Sequence, residues 1–274
     1  YTNILQVLDL AGIPLRTRDR KKGDTLVIGG GPCSYNPEPI ADFFDIFYMG
    51  EGEVSYDALL ELYKVYKHSD MTREEFLIKV SNIPGLYVPE LYEVTYKEDG
   101  TIASFAPRFE DVPATITKTV VMDHSKVTYP EKPVVSFMKL TQDRVVLEIM
   151  RGCIRGCRFC QAGMIYRPTR PKDVNLLKGY AEKMLASTGH EEITFSSLSS
   201  SDYEELPELT DCLIEKMDNE HVNISLPSLR IDAFSLDVMS KIQDVKKSSL
   251  TFAPEAGTQR LRNVINKGLT KENI

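Results

Sequence analysis

The sequence has 274 residues, of which 42% are hydrophobic and 27% are charged, a balance typical of a globular protein. Its net charge of −7 excludes a protein that coats nucleic acid through overall positive charge. Because no apolar run reaches the ~18 residues needed to cross a bilayer and no signal segment opens the chain, we expect a cytoplasmic protein without a membrane partner. The odd count of five cysteines argues against a disulfide framework.

The N-terminal part alternates helices and strands. Residues 3–12 predict a helix, TLVIGGGP a buried strand that runs into glycines, PEPIADFF a short helix, DIFYMGEGE a strand and loop, and VSYDALLELYKVY an amphipathic helix. Such alternation predicts a parallel sheet that binds ligands at the carboxyl ends of its strands. Gly29, Gly30 and Gly31 lie at one such end, where they would let a ligand approach the backbone; a plain tight turn explains them equally well.

A connecting region follows. MTREEFLIKVSNI predicts a helix, and YEVTYKEDGTIASFAP predicts a hairpin that turns at Asp99-Gly100. Prolines at 107, 113, 130 and 133 then interrupt a mostly extended segment, which is where we expect the domain boundary. We therefore expect three parts: residues 1–68, a connecting region 69–144, and a second domain 145–274. Both ends interrupt a pattern of elements, so we expect the chain to be the middle of a longer polypeptide.

A second alternation begins at Val145. Strands are predicted at VVLEIM, EEITFSS, VNISLP and SLTFAPE, and helices within 172–187 and at DYEELPELTDCLIEKM, LDVMSKI and TQRLRNVI. Four successive βα units are typical of the first part of a β/α barrel, in which the chemistry sits at the carboxyl ends of the strands. The polar residues that follow these strands are therefore candidates for the functional site.

Three of the five cysteines, Cys153, Cys157 and Cys160, form a C-x3-C-x2-C run directly after the first of these strands. Three soft sulfur ligands at this spacing suit an iron–sulfur cluster that keeps one iron without a protein ligand. A zinc site remains an alternative, although it would want a fourth ligand and His124 and His190 are distant along the chain.

Basic residues surround these cysteines, and no acidic residue interrupts them: Arg151, Arg155, Arg158, Arg167, Arg170 and Lys172. Guanidinium groups suit carboxylates, phosphates and RNA backbones, so the run predicts an anion site. A solvated basic rim is an equal alternative.

The stretch RGCIRGCRFCQAG resembles the cluster loop of the radical S-adenosylmethionine superfamily, which commonly has an aromatic residue just before the third cysteine, as Phe159 is here. The resemblance implies that Cys153, Cys157 and Cys160 bind a [4Fe-4S] cluster whose open iron chelates S-adenosylmethionine. It implies reductive cleavage to a 5′-deoxyadenosyl radical, with an external reductant of the flavodoxin or ferredoxin type. Phe159 would pack against the adenine, or simply shield the cluster from water.

The same resemblance assigns further cofactor contacts. SLSSSD, residues 197–202, stands where the superfamily usually has a GGE-like motif, so Ser199 and Ser200 are candidate contacts, with N-capping of the next helix as the alternative. Arg230 in SLRID would approach the cofactor carboxylate or ribose. APEAGTQRLR resembles an ESGS-type loop, which maps Glu255 onto its glutamate; a salt bridge to Arg230 or Arg260 is the alternative.

GGGPCSYNPEP, followed by GEGE, resembles the second half of the cobalamin-binding domain that precedes the barrel in a subset of the superfamily. This implies cobalamin as a further cofactor, with Gly29, Gly30 and Gly31 on its ligand side. The expected fold is α/β: a partial doubly wound, Rossmann-like domain followed by the first part of a β/α barrel.

The expected function is a radical S-adenosylmethionine enzyme that performs cobalamin-linked methyl transfer or rearrangement on an unknown substrate. One alternative is an RNA-modifying methylthiotransferase, which needs a second cluster; Cys33 and Cys212 are too few for it. The other is a noncatalytic iron–sulfur electron carrier, which would normally have protein ligands on every iron.

Overall fold

The computed structural model describes residues 2–217, 222–227, 229–233, 236–245 and 252–274. The chain divides into two compact units, Tyr1–Val121 and Met122–Ile274, each with a hydrophobic core of its own. Within the described ranges, no helix combines the length and the apolar character that a membrane span requires.

The first unit consists of short strands and three α-helices. Its helices are α1 (Thr2–Leu10), α2 (Tyr56–Lys67) and α3 (Arg73–Ser81), and its strands are β1 (Ile28–Gly29), β2 (Ile46–Tyr48), β3 (Leu86–Tyr87), β4 (Tyr92–Tyr96) and β5 (Ile102–Pro107). Strand β2 pairs in parallel with β1 and antiparallel with β3, while β4 and β5 form the predicted hairpin. Gly100 provides the positive φ of +79° that its turn needs.

Side-chain chemistry explains where these elements begin. Helix α3 starts with a capping box, in which Thr72 accepts a hydrogen bond from the Glu75 backbone N–H and Glu75 accepts one from the Thr72 N–H. Strand β2 is buried along its whole length, and Phe47 stands 1% exposed at the centre of the core. The unit is therefore assembled around β2.

A buried carboxylate fixes the start of β2. Asp45 is completely buried and lies 2.9 Å from Arg20 and 2.6 Å from Arg73, while it accepts hydrogen bonds from Thr17 and the Val27 backbone N–H. A buried charge is tolerated only when it is paired and hydrogen-bonded. Asp45 meets both conditions, so it holds three separate segments of the unit at one point.

The second unit contains the predicted parallel strands. Its elements are β6 (Val145–Glu148), β7 (Met150–Arg151), α4 (Ala162–Ile165), β8 (Arg170–Pro171), α5 (Val174–Thr188), β9 (Glu192–Ser196), α6 (Leu206–Met217), β10 (Asn223–Ser225), α7 (Leu236–Val245) and α8 (Gln259–Val264). Strands β10, β9 and β6 lie side by side and run parallel. Leu147, Ile193 and Phe195 of this sheet are fully buried against α5 and α6. The carboxyl ends of the three strands consequently meet at one edge.

The α/β class and the parallel strands of the second unit are confirmed, and four details differ from expectation. The stretch VVLEIM divides into β6 and β7, PEPIADFF forms a 3-10 helix at Glu38–Phe43, and the first unit gains an antiparallel strand, β3. The two-residue ladder between β7 and β8 was not predicted. Residues 249–251 of the expected strand SLTFAPE lie outside the described residues, as does Ser228 of SLRID, and the described residues 252–255 form no strand.

The Asp45 cluster yields a prediction about the stability of the first unit. Asp45→Ala should lower the free energy of unfolding by about 3–5 kcal/mol, because the buried Arg20 guanidinium loses its counter-charge. The matched control is Asp42→Ala, which breaks the exposed ion pair to Arg16 and should cost about 1 kcal/mol or less. Urea unfolding of both variants measures the difference, and equal losses would contradict the assignment.

Candidate functional site

The cysteine loop, residues 152–160, leaves the sheet directly after β7 and is closed at its base. Strand β7 pairs antiparallel with β8, and the Lys172 N–H donates to the Ile149 carbonyl at 2.9 Å. Gly152 has φ +83°, and a Cβ atom there would come within 2.6 Å of the Pro168 carbonyl. Only glycine fits this position, so the loop is held at the carboxyl end of β6 by backbone geometry.

The three cysteines of the loop are free thiols, each partly exposed. The Arg155 N–H points at Cys153 Sγ at 3.4 Å, the Gly163 N–H at Cys160 Sγ at 3.3 Å, and Arg230 Nη1 lies 4.0 Å from Cys157 Sγ. Hydrogen bonds to sulfur are among the contacts by which proteins tune iron–sulfur clusters. In chemistry, the donor set fits an iron–sulfur cluster held by three cysteines.

The positions of the three sulfur atoms give less support to a metal site than their chemistry does. Among the described residues, no three histidine, cysteine, aspartate or glutamate side chains are gathered closely enough to hold a metal ion. The fit therefore rests on the chemistry of the donors and on their common loop.

The basic residues around the loop act as its internal framework. Arg151 and Lys172 both bind Glu148, Arg170 donates to the carbonyls of the loop's return segment, Arg158 donates to the Val264 carbonyl, and Arg167 to that of Arg155. Arg170 and Lys172 are only 6% and 5% exposed. Because every cation of the run has a partner inside the unit, their first role is to fold the loop.

A network of four charged residues links the loop to the ends of β9 and β10. Arg155 binds Asp202 through both Nε and Nη2, and its Nη1 lies 3.4 Å from Asp232. Arg230 in turn binds Asp232 through two hydrogen bonds of 2.9 and 2.8 Å. Two guanidinium groups and two carboxylates therefore alternate along the edge of the sheet where the strands end.

The charges of this network reinforce one another. Burial raises the pKa of Asp202, but hydrogen bonds from Arg155 and Ser199 outweigh it and bring the pKa below its ordinary value. The pKa of Asp232 is lowered in the same way, against its burial, by Arg230. The hydrogen bond to Asp202 is the main cause of the raised pKa of Arg155. All four groups are charged at neutral pH.

The serines predicted at the end of β9 are deeply buried. Ser199 and Ser200 are 1% and 0% exposed, Ser199 Oγ donates to Asp202 at 2.7 Å, and Ser200 Oγ lies 3.0 Å from Ser197 Oγ. Ser199 precedes the 3-10 helix Ser200–Asp202 without capping it through its side chain. Both hydroxyls are thus used in shaping this strand end.

Glu255 and Phe159 share one neighbour, Lys267. The Lys267 ammonium lies 3.3 Å from the Glu255 carboxylate and 6.0 Å from the centre of the Phe159 ring. The alternative that pairs Glu255 with Arg230 or Arg260 is thus replaced by a pair with Lys267. Glu255 has a positive φ of 66°, a strained region for a non-glycine residue, and Phe159 is 53% exposed. Both side chains therefore remain reachable by a ligand.

The three consecutive glycines of the first unit, Gly29, Gly30 and Gly31, lie in two different environments. A Cβ atom on Gly29 would come within 2.7 Å of Phe47, so packing explains that glycine. Gly30 and Gly31 face open space, and Gly31 has φ +83°. In the GEGE loop, Gly50 packs against Thr119, and Glu51 accepts a hydrogen bond from the Val121 N–H. Only Gly30 and Gly31 of the three glycines present open backbone.

The first unit also contains a cavity of about 690 Å³ that the sequence did not reveal. Its wall includes Tyr87, Tyr92 and Phe105, whose neighbouring rings are 5.1 and 5.5 Å apart, together with Tyr35 and Glu38. The volume is in the range of small-molecule sites, which are mostly apolar with a few polar groups. The aromatic residues in the sequence of the hairpin were the signal from which this cavity could have been predicted.

His124 was also missed, because it lies in a region where no chemistry was expected. It is 5% exposed, and neither ring nitrogen has a hydrogen-bond partner in the structure. Burial lowers its pKa, and the positive charges of Arg151, Arg170 and Lys172 lower it further, against the weaker opposite effect of Glu148. The imidazole is therefore neutral in the folded unit at neutral pH.

Comparison with protein-family models gives two matches. Residues 1–89 match the model of radical SAM proteins, N-terminal, and residues 147–274 match that of the radical SAM superfamily. The second match includes the cysteine loop and every strand end described above.

Two relatives from Methanocaldococcus jannaschii are similar in sequence. The uncharacterized protein MJ0966 is 31% identical over 260 residues, which are 94% of this chain and 49% of that protein. The putative methylthiotransferase MJ0865 is 24% identical over 136 residues, 47% of this chain and 30% of that protein. This chain thus spans half or less of the length of these relatives.

Two solved structures share the fold. The cobalamin-dependent S-adenosylmethionine radical enzyme OxsB, with aqua-cobalamin and S-adenosylmethionine bound, aligns with a TM-score of 0.60 at 15% identity, over 99% of this chain and 36% of its own. The radical S-adenosylmethionine methyltransferase TsrM from Kitasatospora setae aligns with a TM-score of 0.51 at 16% identity, over 90% of this chain and 46% of its own. At these identities the likeness concerns the fold.

Gly152 allows a direct test of the closed loop. Gly152→Ala should destabilise the second unit by about 2 kcal/mol or more, because the new Cβ atom meets backbone atoms at a positive φ. Gly179→Ala is the matched control: Gly179 lies inside α5 with open space around it, so alanine should stabilise the helix by about 0.5–1 kcal/mol. Thermal unfolding compares the two variants, and a neutral Gly152→Ala would disprove the tight fit.

His124 predicts a pH dependence. Because its pKa in the folded protein lies below the ordinary histidine value of 6.5, the unfolded chain takes up a proton that the folded chain does not. The stability contributed by the neutral ring is complete above about pH 6.5 and is lost as the pH falls towards the lower pKa, with a slope of at most ~1.4 kcal/mol per pH unit. His124→Leu should flatten the decline between pH 7 and 5.5 in urea unfolding. Identical slopes in the two proteins would count against this role.

Proposed function

We propose, from the premise that this chain belongs to the radical SAM superfamily, that it carries the cofactor-binding core of an enzyme that uses a [4Fe-4S] cluster and S-adenosylmethionine. The observation that carries the proposal is the cysteine loop: three free thiols on one short loop, fixed at the carboxyl end of a parallel strand. This is the edge of an α/β sheet where ligands bind.

Cys153, Cys157 and Cys160 would hold the cluster, which leaves one iron without a protein ligand. When bound, the cluster and S-adenosylmethionine supply one-electron chemistry that yields a 5′-deoxyadenosyl radical, with electrons from a reductant of the flavodoxin or ferredoxin type. The protein's part is to bind these groups, to orient them, and to limit the access of water.

The strand ends supply the remaining contacts in this proposal. Arg230, held by Asp232 and pointing Nη1 towards Cys157, would present positive charge to the cofactor carboxylate or ribose. Glu255, 37% exposed in its side chain, would accept hydrogen bonds from ribose or substrate hydroxyls. The exposed ring of Phe159 would pack against the adenine. Ser199 and Ser200, being buried, would contribute mainly through the shape of the β9 end.

For the first unit we propose a cobalamin site and, with it, methyl transfer or rearrangement on an unidentified substrate. Two observations support this: Gly30 and Gly31 offer open backbone to a large ligand, and the aromatic cavity of the same unit, which Tyr35 borders, offers an apolar wall. OxsB, whose structure contains aqua-cobalamin, shares the fold across nearly the whole chain.

The similarity to the putative methylthiotransferase MJ0865 favours a second candidate, a methylthiotransferase; RNA is the target that we expect for it. Such an enzyme needs a second cluster with three cysteines of its own, while Cys33 and Cys212 are the only other cysteines of this sequence. A bound iron count of about four per chain favours the first candidate, and about eight favours the second. A noncatalytic electron carrier is distinguished by a cluster spectrum that does not respond to S-adenosylmethionine.

Cys157→Ala provides the central test. Anaerobic reconstitution should load the unmodified protein with about four irons and allow formation of 5′-deoxyadenosine, whereas the variant should lose nearly all cluster absorbance and form no product above background. Cys212→Ala is the control, since Cys212 lies in α6 away from the loop, and it should keep both properties. A Cys157→Ala protein with full iron content and activity would refute the assignment.

A further inference from the structure

We propose that Arg155 is the positioning residue of the cysteine loop: it anchors the loop to the ends of β9 and β10 through Asp202 and Asp232. Nothing in the sequence pattern singles it out among the six cations of the basic run. The geometry does, because Arg155 binds carboxylates that follow two other strands, Asp202 after β9 and Asp232 after β10.

The contact with Asp202 has the form of a fork. Arg155 Nε donates to Asp202 Oδ2 at 2.9 Å while Nη2 binds Oδ1, so the planar guanidinium and the planar carboxylate face each other along two parallel bonds. The partners are 47 residues apart in the chain. A fork of this kind fixes direction as well as distance, which a lysine ammonium does not.

The ion pairs of Arg155 are important for the position of the loop because their carboxylates are buried. The side chain of Asp202 is 5% exposed and that of Asp232 is 15% exposed, while Arg155 is 31% exposed. A carboxylate withdrawn from water in this way is costly unless its charge is met, so Asp202 strongly favours the position of Arg155 in which the fork is closed. The loop is thereby drawn towards the sheet.

The network reaches two of the three thiols. Arg155 lies between Cys153 and Cys157, and its own backbone N–H points at Cys153 Sγ. Arg230, which shares Asp232 with Arg155, lies 4.0 Å from Cys157 Sγ and also donates to the Lys267 carbonyl. Displacing Arg155 would therefore shift the loop backbone at Cys153 and disturb the group beside Cys157.

Both carboxylate oxygens of Asp202 bind groups of the protein. Its Oδ1 binds Arg155, and its Oδ2 accepts from both Arg155 and Ser199. The candidate cofactor contacts at this strand end were Ser199 and Ser200, whereas both oxygens of Asp202 hold the loop. The positioning role rests on the proposed function only in treating the three thiols as cluster ligands.

The first measurement needs no metal. Amide hydrogen exchange of the intact, reduced, metal-free protein is followed for peptides spanning the cysteine loop and for peptides of α5. Arg155→Lys keeps the charge but loses the fork, and Asp202→Asn keeps the shape but loses the charge. Either change should speed exchange in the loop by about five- to tenfold and leave α5 unchanged, because local opening becomes easier without global unfolding.

The matched control breaks a comparable ion pair at the opposite end of the same strands. Arg144 and Glu192 lie 2.7 Å apart and are 24% and 30% exposed, so Glu192→Gln should leave exchange of the loop unchanged. Loop exchange in Arg155→Lys that equals that of Glu192→Gln would overturn the proposal. An equal rise in the loop and in α5 would also overturn it, since the pair would then act only on global stability.

The second measurement uses the reconstituted protein. Arg155→Lys and Asp202→Asn should release iron to a chelator several-fold faster than the unmodified protein, whereas Glu192→Gln should not. If no protein binds a cluster but the exchange difference persists, the proposed function fails and the positioning role stands. If clusters form normally and the loop exchanges equally in all proteins, the positioning role fails alone.

Discussion

The need to neutralise charge beside the cysteines organises the second unit. Six cations flank three thiols within one short stretch, and the stretch itself contains no anion. The carboxylate partners of Arg151, Arg155 and Lys172 must come from elsewhere: Glu148 at the end of β6, Asp202 after β9 and Asp232 after β10. Because each partner stands at a strand end, pairing the charges also draws the loop onto the edge of the sheet. Electrostatics and topology therefore specify the same place for the site.

The first unit also neutralises charge through ion pairs, but there the charged cluster has a structural role. The side chains of Asp45 and Arg20 are completely buried at the start of β2, and that of Arg73 is 14% exposed. That cluster is a structural centre, because Asp45 joins three segments of the first unit. In the second unit, Asp202 and Asp232 are 5% and 15% exposed, and their arginine partners lie next to thiols. Similar ion pairs thus stabilise the core of one unit and connect the cysteine loop to the rest of the other.

Local patterns predicted most of the helices and strands. The helix within 172–187 and the strand EEITFSS follow from periodicity, and both have local signals at their ends, such as the Asp173 cap of α5. The cysteine motif could be recognised because its three members lie in one loop. What sequence reasoning could not supply were long-range choices: which carboxylate pairs with Arg155, that Lys267 binds Glu255, and that β7 and β8 close the loop. Those depend on tertiary packing, and a two-residue ladder leaves no periodic signal.

The role of Asp202 illustrates why such choices matter for function. Its position after a barrel strand favours a cofactor contact, and a carboxylate there is chemically suited to an amino group. Its two oxygens instead bind an arginine from the loop and a neighbouring serine. A strand-end carboxylate therefore serves the site indirectly when a cation from the adjacent loop reaches it first. The groups left with open access, Glu255 and Phe159, are then better candidates for touching a ligand, because they share a single lysine and retain exposed surface.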